Sequence, residues 1–323
     1  MTILNYDEFM IINNGKRLFK LFPKDLKCHD IQYKENEIFA SNNFNEKECI
    51  SGIHFTSQDH VLYWLLEHDD SFYWCEITPH KDAKFVVFDG KIKTNICQIG
   101  KLIEIRYLIK YLHQEVKLTK QNFQLNNYTC HWAFINDHID VVKYLHQEIG
   151  LTKEDFQLNN NCACQIACQY GHINVVKYLH REIGLTKEDF QLNNNYACIW
   201  ACLNGHVDVV KYLHQEIGLS KEDFQYDDND ACIWACKNGH IDVVKYLHQE
   251  IGLTKEDFQS DNNYACRYAC VYGHIDVVKY LHQEILLTKE DFESNNNHAC
   301  RRAFKNGHLN VVKYLHQKIG LRK

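Results

Sequence analysis

Residues 194–227 read NNYACIWACLNGHVDVVKYLHQEIGLSKEDFQYD, and the same 34-residue pattern flanks them on both sides. Its Gly-His (or Asp-His) step returns at His138, His172, His206, His240, His274 and His308, always 34 positions apart. A fixed period of this size marks a solenoid, in which each unit buries its apolar face against its neighbours. About 200 of the 323 residues obey this one rule.

Within the unit, Tyr196 to Leu203 carries helical spacing, with Cys198, Ala201 and Cys202 on one face at i, i+3 and i+4. Asn204-Gly205 ends that helix, because glycine readily takes the left-handed backbone that closes one. Val207 to Glu216 reads as a second helix, with Val207, Val210 and Leu213 inward and Val209 beside them; Gly218 stops it. Ser220 then stands three residues before Asp223, a hydroxyl and an acid at capping-box spacing. This predicts a short third helix through Phe224, and Thr152, Thr186, Thr254 and Thr288 hold the matching position elsewhere.

The run A-x-x-x-x-G-H-h-D-V-V-K-x-L resembles the ankyrin repeat, whose usual run is A-A-x-x-G-H-L-E-V-V-x-L-L. The resemblance covers six repeats, at about 126–159, 160–193, 194–227, 228–261, 262–295 and 296–323, after a degenerate capping unit over 101–125. Two departures stand out. The family's T-P-L-H is replaced by Tyr196-Ala197-Cys198-Ile199, so its Thr–His hydrogen bond is absent. Its A-D-V-N hairpin is replaced by L-T-K-E-D-F-Q, with one extra residue. Both favour an all-helical unit over one with a projecting β-finger.

Residues 1–100 are not repetitive and hold both prolines, Pro23 and Pro79. They read as a small α+β domain. The segments 16–22, 72–78 and 84–88 concentrate β-branched and aromatic residues as strands do, and 44–56 reads as a turn feeding a short strand. Between them, SQDHVLYWLLEHDD predicts a helix with Ser57 as its N-cap. Cys28, His29, Cys49, His54, His60, His68, Cys75 and His80 show no tight ligand pair, so they read as scattered core and surface residues rather than a metal site. No phosphate loop, nucleophile elbow or paired-carboxylate pattern is found. The arrangement over Phe19 to Ile96 resembles a domain of unknown function of phage proteins and of ankyrin proteins from giant amoeba-infecting DNA viruses. That resemblance implies a viral origin and no known activity.

Net charge is −6, from 36 basic and 42 acidic residues, which gives no field favouring nucleic acid. No apolar run approaches the roughly 20 residues of a membrane span, and the start lacks the zones of a signal peptide. Eleven of the 15 cysteines lie in the repeats, mostly as pairs four apart such as Cys232/Cys236. Odd count, helical spacing and no export signal point to reduced thiols in an intracellular protein, in host cytoplasm if viral. The cysteines form two ladders, from Cys130 to Cys300 and from Cys168 to Cys270, the second continued by Phe134 and Phe304. Phenylalanine cannot ligate a metal, so these places read as packing positions. The ladder from His146 to His316 is expected beside exposed Tyr and Gln, without a proton-transfer role.

What changes between repeats is more telling. The residue two beyond the first cysteine of each pair is expected to point away from the inward face, into the concave side of the stack. Down the array it reads Trp132, Ile166, Trp200, Trp234, Tyr268 and Arg302, and four further on Tyr170 and Tyr272 alternate with asparagines. Trp, Tyr and Arg anchor protein interfaces, so this stripe is the expected partner-binding face; packing between repeats is the competing reading. The sequence thus predicts an α-solenoid of ankyrin-type repeats, mostly α, preceded by a small α+β domain. It reads as a monomeric protein–protein interaction scaffold without catalytic residues, cofactor or metal, binding an unidentified host or viral protein and neither nucleic acid nor membrane. Two alternatives are a substrate-recruiting ubiquitin-ligase adaptor and an N-terminal enzyme targeted by the repeats. The first needs a docking segment, and none is expected because the chain ends inside a repeat at Lys323. The second lacks a recognisable nucleophile.

Overall fold

The computed structural model describes residues 2–28, 31–41, 44, 52–67, 71–124 and 128–321. His29, Cys49, His68, Lys323 and positions 45–51 of the expected turn lie outside them. Two compact units divide the chain, Met1–Asp155 and Phe156–Lys323.

The first unit opens with helix α1 (Tyr6–Asn13), which no apolar period announces. A reciprocal cap holds it: the Glu8 N–H donates to Asn5 Oδ1 at 3.0 Å, and the Asn5 N–H to Glu8 Oε2 at 2.8 Å. The strands are β1 (Leu18–Phe22), β2 (Lys27–Cys28), β3 (Ile31–Gln32), β4 (Ile38–Ala40), β5 (Ile53–Ser57), β6 (Tyr73–Pro79), β7 (Phe85–Val87), β8 (Ile92–Thr94), β9 (Ile96–Ile99) and β10 (Ile103–Glu104). Eight of them form one antiparallel sheet in the order β4-β9-β6-β1-β5-β8-β7, with β10 also on β6; β2 and β3 pair separately. Phe9, Phe22, Tyr33, Phe55, Phe85, Cys75 and Cys97 build the core on one face. Against the other face, Tyr111 of α3 (Leu108–Gln114) packs on Phe19 and Trp74.

The strands expected over 16–22, 72–78 and 84–88 form as β1, β6 and β7, and the one expected near residue 56 forms as β5. Ser57 is not an N-cap. Registered pairing of Leu18 with Ser57 and Phe19 with Thr56 draws these residues into the sheet, so helix α2 (Val61–Glu67) starts later.

In the second unit each repeat places its helices where the sequence predicts them. Around the quoted stretch they end at Leu203, run over Val207–Gln215, and form the short turn Lys221–Phe224. Beyond Glu104 the described residues hold no strand. Where a hairpin would project, three consecutive residues take left-handed backbone: Asn193 to Asn195 at φ of 53°, 62° and 56°. Asp227 to Asn229, Asp261 to Asn263 and Asn295 to Asn297 repeat this. Only asparagine and aspartate occupy these twelve positions. Their short polar side chains make them the non-glycine residues that tolerate this region best.

Polar ladders tie neighbouring repeats together. Asp223 Oδ2 accepts the Ser220 N–H at 2.7 Å, and its Oδ1 accepts the Gln191 amide of the preceding repeat at 2.6 Å. Gln157 to Asp189, Gln225 to Asp257 and Gln259 to Asp291 copy the contact at 2.7 Å each. His206 Nε2 lies 2.9 Å from the Gln169 carbonyl and His240 Nε2 2.8 Å from that of Leu203. Gly205 has φ of +78° and lies against the His240 ring, so a Cβ there would collide with it.

Candidate partner-binding face

The ladder cysteines are the inward side of the first helices. Cys164, Cys168, Cys198, Cys202, Cys232, Cys236, Cys266 and Cys270 are fully buried, and burial pushes their thiols well above the ordinary value. Such thiols are small apolar fillers with a weak donor: Cys232 Sγ lies 3.7 Å from the Asp257 carbonyl. Phe134 is buried in the same way, but Phe304 is 67% exposed. No further repeat covers it among the described residues, so the apolar bulk expected to be core there stands mostly in solvent. Among the described residues no three His, Cys, Asp or Glu side chains gather to hold a metal.

The outward stripe divides. Trp132 and Ile166 were expected to be exposed and are buried, Trp132 completely. Trp132 lies on the helix Tyr128–Ile135, against which α2 packs, with Tyr63 edge-on to Tyr128 at 5.3 Å. Tyr128 is one turn before Trp132 on the same side, so the face that would be open in a later repeat is covered here. Ile166 is 7% exposed. Neither can meet a partner in this structure. The other six residues reach solvent: Trp200, Trp234 and Tyr268 are half-buried, and Tyr170, Tyr272 and Arg302 exposed.

Around Trp234 the stripe becomes a cluster. Lys237 Nζ stands 3.9 Å from the Trp234 ring centroid, 5.7 Å from Tyr268 and 5.9 Å from Tyr272. At this range the ring quadrupoles attract the ammonium and hold the aromatic groups around it. Tyr264 stacks on Tyr268 at 3.8 Å with planes 9° apart, and Arg267 lies over both rings. Burial pushes the Asp230 carboxyl above its ordinary value; a hydrogen bond with the Trp234 side chain opposes the shift, while Asp227, Asp228 and Asp261 add to it. Burial lowers His298, and Arg267, Arg302 and Arg301 lower it further. The cluster thus has an acidic flank near Asp227, Asp228 and Asp261 and a basic flank near Arg301 and Arg302.

Asp230, Lys237, Tyr264, Arg267 and His298 were missed in the sequence. Positions 230, 234 and 237 follow helical i, i+4, i+7 spacing, which would have found Asp230 and Lys237. The asparagines that alternate with Tyr170 and Tyr272 are structural. Asn204 Nδ2 donates to Gln169 O at 3.0 Å and Asn238 Nδ2 to Leu203 O at 2.8 Å, each in the preceding repeat. The ladder histidines His180, His214, His248 and His282 lie 2.9 to 3.0 Å from tyrosine hydroxyls one repeat on. Of these tyrosines, Tyr212, Tyr246 and Tyr280 are buried, not exposed as expected, because each ring fills the seam between two second helices.

The family model described as ankyrin repeats (3 copies) matches residues 96–189, 166–257 and 233–322. The chain belongs to the ankyrin-repeat family. Ankyrin repeats indicate a protein–protein interaction module and are non-catalytic scaffolds. Residues 16–111 match a domain of unknown function (DUF7666). No curated protein matches the chain. No helix is long and apolar enough to cross a membrane among the described residues.

Proposed function

We propose that the ankyrin repeats bind a partner protein on the face centred on Trp200, Trp234 and Tyr268, bounded by Tyr170, Tyr272 and Arg302. The observation that carries this reading is the half-exposed aromatic cluster gathered around Lys237. Rigid amphipathic rings bury much area at little entropic cost, and this is the chemistry of interface hot spots. The basic flank at Arg301 and Arg302 favours a partner with carboxylates there. The chain acts as a monomer inside the cell, without nucleic acid, and the resemblance of its front domain supports a viral source. We place the boundary between front domain and repeats near residue 100; the ankyrin family match begins at residue 96, which supports that division.

The test is the double substitution Trp200→Ala/Trp234→Ala. The variant should remain folded, because half-exposed rings lie outside the Cys/Ala/Leu core, and binding should fall by about 2 kcal/mol or more, as for hot-spot aromatics. Affinity purification with wild type and variant in parallel, read by mass spectrometry and followed by titration of the purified partner, measures this. An unfolded variant makes these tryptophans packing residues. A folded variant that keeps its partner unchanged places the site elsewhere.

A further inference from the structure

The front sheet opens where β1 and β5 should stay paired. Their registered pairs are Leu18 with Ser57 and Phe19 with Thr56, and no registered pair follows although both strands continue. In the parting lies a cavity of about 210 Å³, lined by Phe19, Lys20 and Leu21 from one strand and His54 and Phe55 from the other. Tyr33, Ser71, Trp64 and Lys91 complete the walls used here.

Lys20 is the unusual group. It is only 6% exposed, and its Nζ donates to the His54 carbonyl at 2.9 Å. Phe22 and Tyr33 present their rings 5.2 and 5.0 Å away. Among the described residues no carboxylate forms an ion pair with it, and the titratable groups that influence it are Cys28, Cys97, Cys75 and Lys91. Burial holds the Cys75 and Cys97 thiols up at about 12, and it pushes the Tyr33 hydroxyl up as well, so these three carry no charge near neutral pH. A buried ammonium normally comes with a counter-charge, since desolvating it alone is costly. Here one carbonyl and two rings stand in for one, beside an open cavity that a second lysine also lines.

We propose that this cavity is a binding site for a small organic monophosphate, with Lys20 and Lys91 as its cationic donors. A phosphate supplies the missing counter-charge and several acceptors at once; Tyr33 and Ser71 offer hydroxyl donors beside the lysines. The volume exceeds that of a bare phosphate. Phe19, Leu21 and Phe55 leave the remainder apolar, which suits a compact organic group. Among the described residues the lining holds no Asp or Glu to repel the anion.

Calorimetric titration of the full chain with phenyl phosphate tests the proposal, with inorganic phosphate and phenol as the two half-ligands. Phenyl phosphate should bind saturably and more tightly than either half. Lys20→Met should weaken it about tenfold or more, the loss of one charge-assisted contact. Lys91→Met should weaken it in the same direction, and it carries the test if Lys20→Met fails to fold. Absence of saturation by wild type up to about 10 mM, weaker than any specific site needs to be, overturns the proposal. So does a phenol affinity equal to that of phenyl phosphate, or a folded variant that binds as wild type does.

Discussion

In the repeats, the buried Asp223 meets the Ser220 N–H, the Gln191 amide and, at 3.4 Å, the Lys187 ammonium, two of the three from the preceding repeat. In the front domain the equally buried Lys20 has one backbone carbonyl and two ring faces. For this aspartate the period copies one solution, because every unit finds the same partner one step back. It equally copies a buried acceptor without a partner among the described residues, Oδ1 of Asn195, Asn229, Asn263 and Asn297. A single-copy domain has no such neighbour. There the buried Lys20 ammonium meets only what its own sheet and the rings beside it supply.

The largest expected effect comes from breaking that regularity inside the array. Cys232 is fully buried, with its thiol against the Asp257 carbonyl. Cys232→Asp puts a carboxyl into a fully buried place where the charged groups that act on the thiol, Asp257 and Asp230, are themselves acidic. It should cost about 4 kcal/mol or more in chemical denaturation, the range for an unpaired buried charge. A cost below about 1 kcal/mol would be that of a surface substitution, and the ladder would then not be core.

The repeats were legible because one period controls them. Cys198, Ala201 and Cys202 fixed the inward face, and Ser220 with Asp223 fixed the third helix. The front domain was less legible. The segments 16–22, 72–78 and 84–88 announce themselves by composition, but β4 and β8 to β10 are short, and pairing with distant strands defines them. Ser57 satisfied a local capping rule and lost to pairing with Leu18, a partner from a distant part of the chain that no local rule can see. On the candidate stripe, the solvent-facing side of Trp200, Trp234 and Tyr268 could be read, but the cover over Trp132 could not. It comes from α2, which no repeat-internal comparison contains.

Stability should rise with pH in both parts, in the acid range for the array and in the alkaline range for the front domain. Burial raises Asp223 and Asp257, but the Ser220 and Thr254 N–H groups, the glutamine amides and the lysines outweigh it and hold both below the ordinary 3.8. A depressed folded value means that their contribution is complete above 3.8 and fades as pH falls through the lower, folded value. Burial chiefly lowers Lys20 below its ordinary 10.5, with Lys91 adding and Cys28, Cys97 and Cys75 opposing. The folded state then holds that proton less firmly than the unfolded one, so stability rises as pH climbs from the folded value toward 10.5. Denaturation followed separately by amide exchange in each part checks this. The array should loosen first on acidification, and Asp223→Asn should flatten its acid limb. If Lys20→Met leaves the alkaline slope of the front domain unchanged, Lys20 does not carry that slope.

The smallest effect tests how the array shares its work. Asp189 Oδ2 accepts both the Thr186 N–H at 2.7 Å and the Thr186 hydroxyl at 3.3 Å. Thr186→Ala removes the hydroxyl and leaves the backbone contact and the Gln157 amide in place. The loss should be about 1 kcal/mol, the ordinary value of a helix cap, and should appear as a lower urea midpoint with an unchanged slope. Ser220→Ala should cost the same, since Ser220 and Asp223 repeat the geometry at 2.7 and 3.1 Å. Equal costs would show that each repeat carries an independent copy of one cap. A clearly larger loss at either position would show that the hydroxyl also holds the carboxylate in place for the neighbouring glutamine, so that a single cap supports the seam between two repeats.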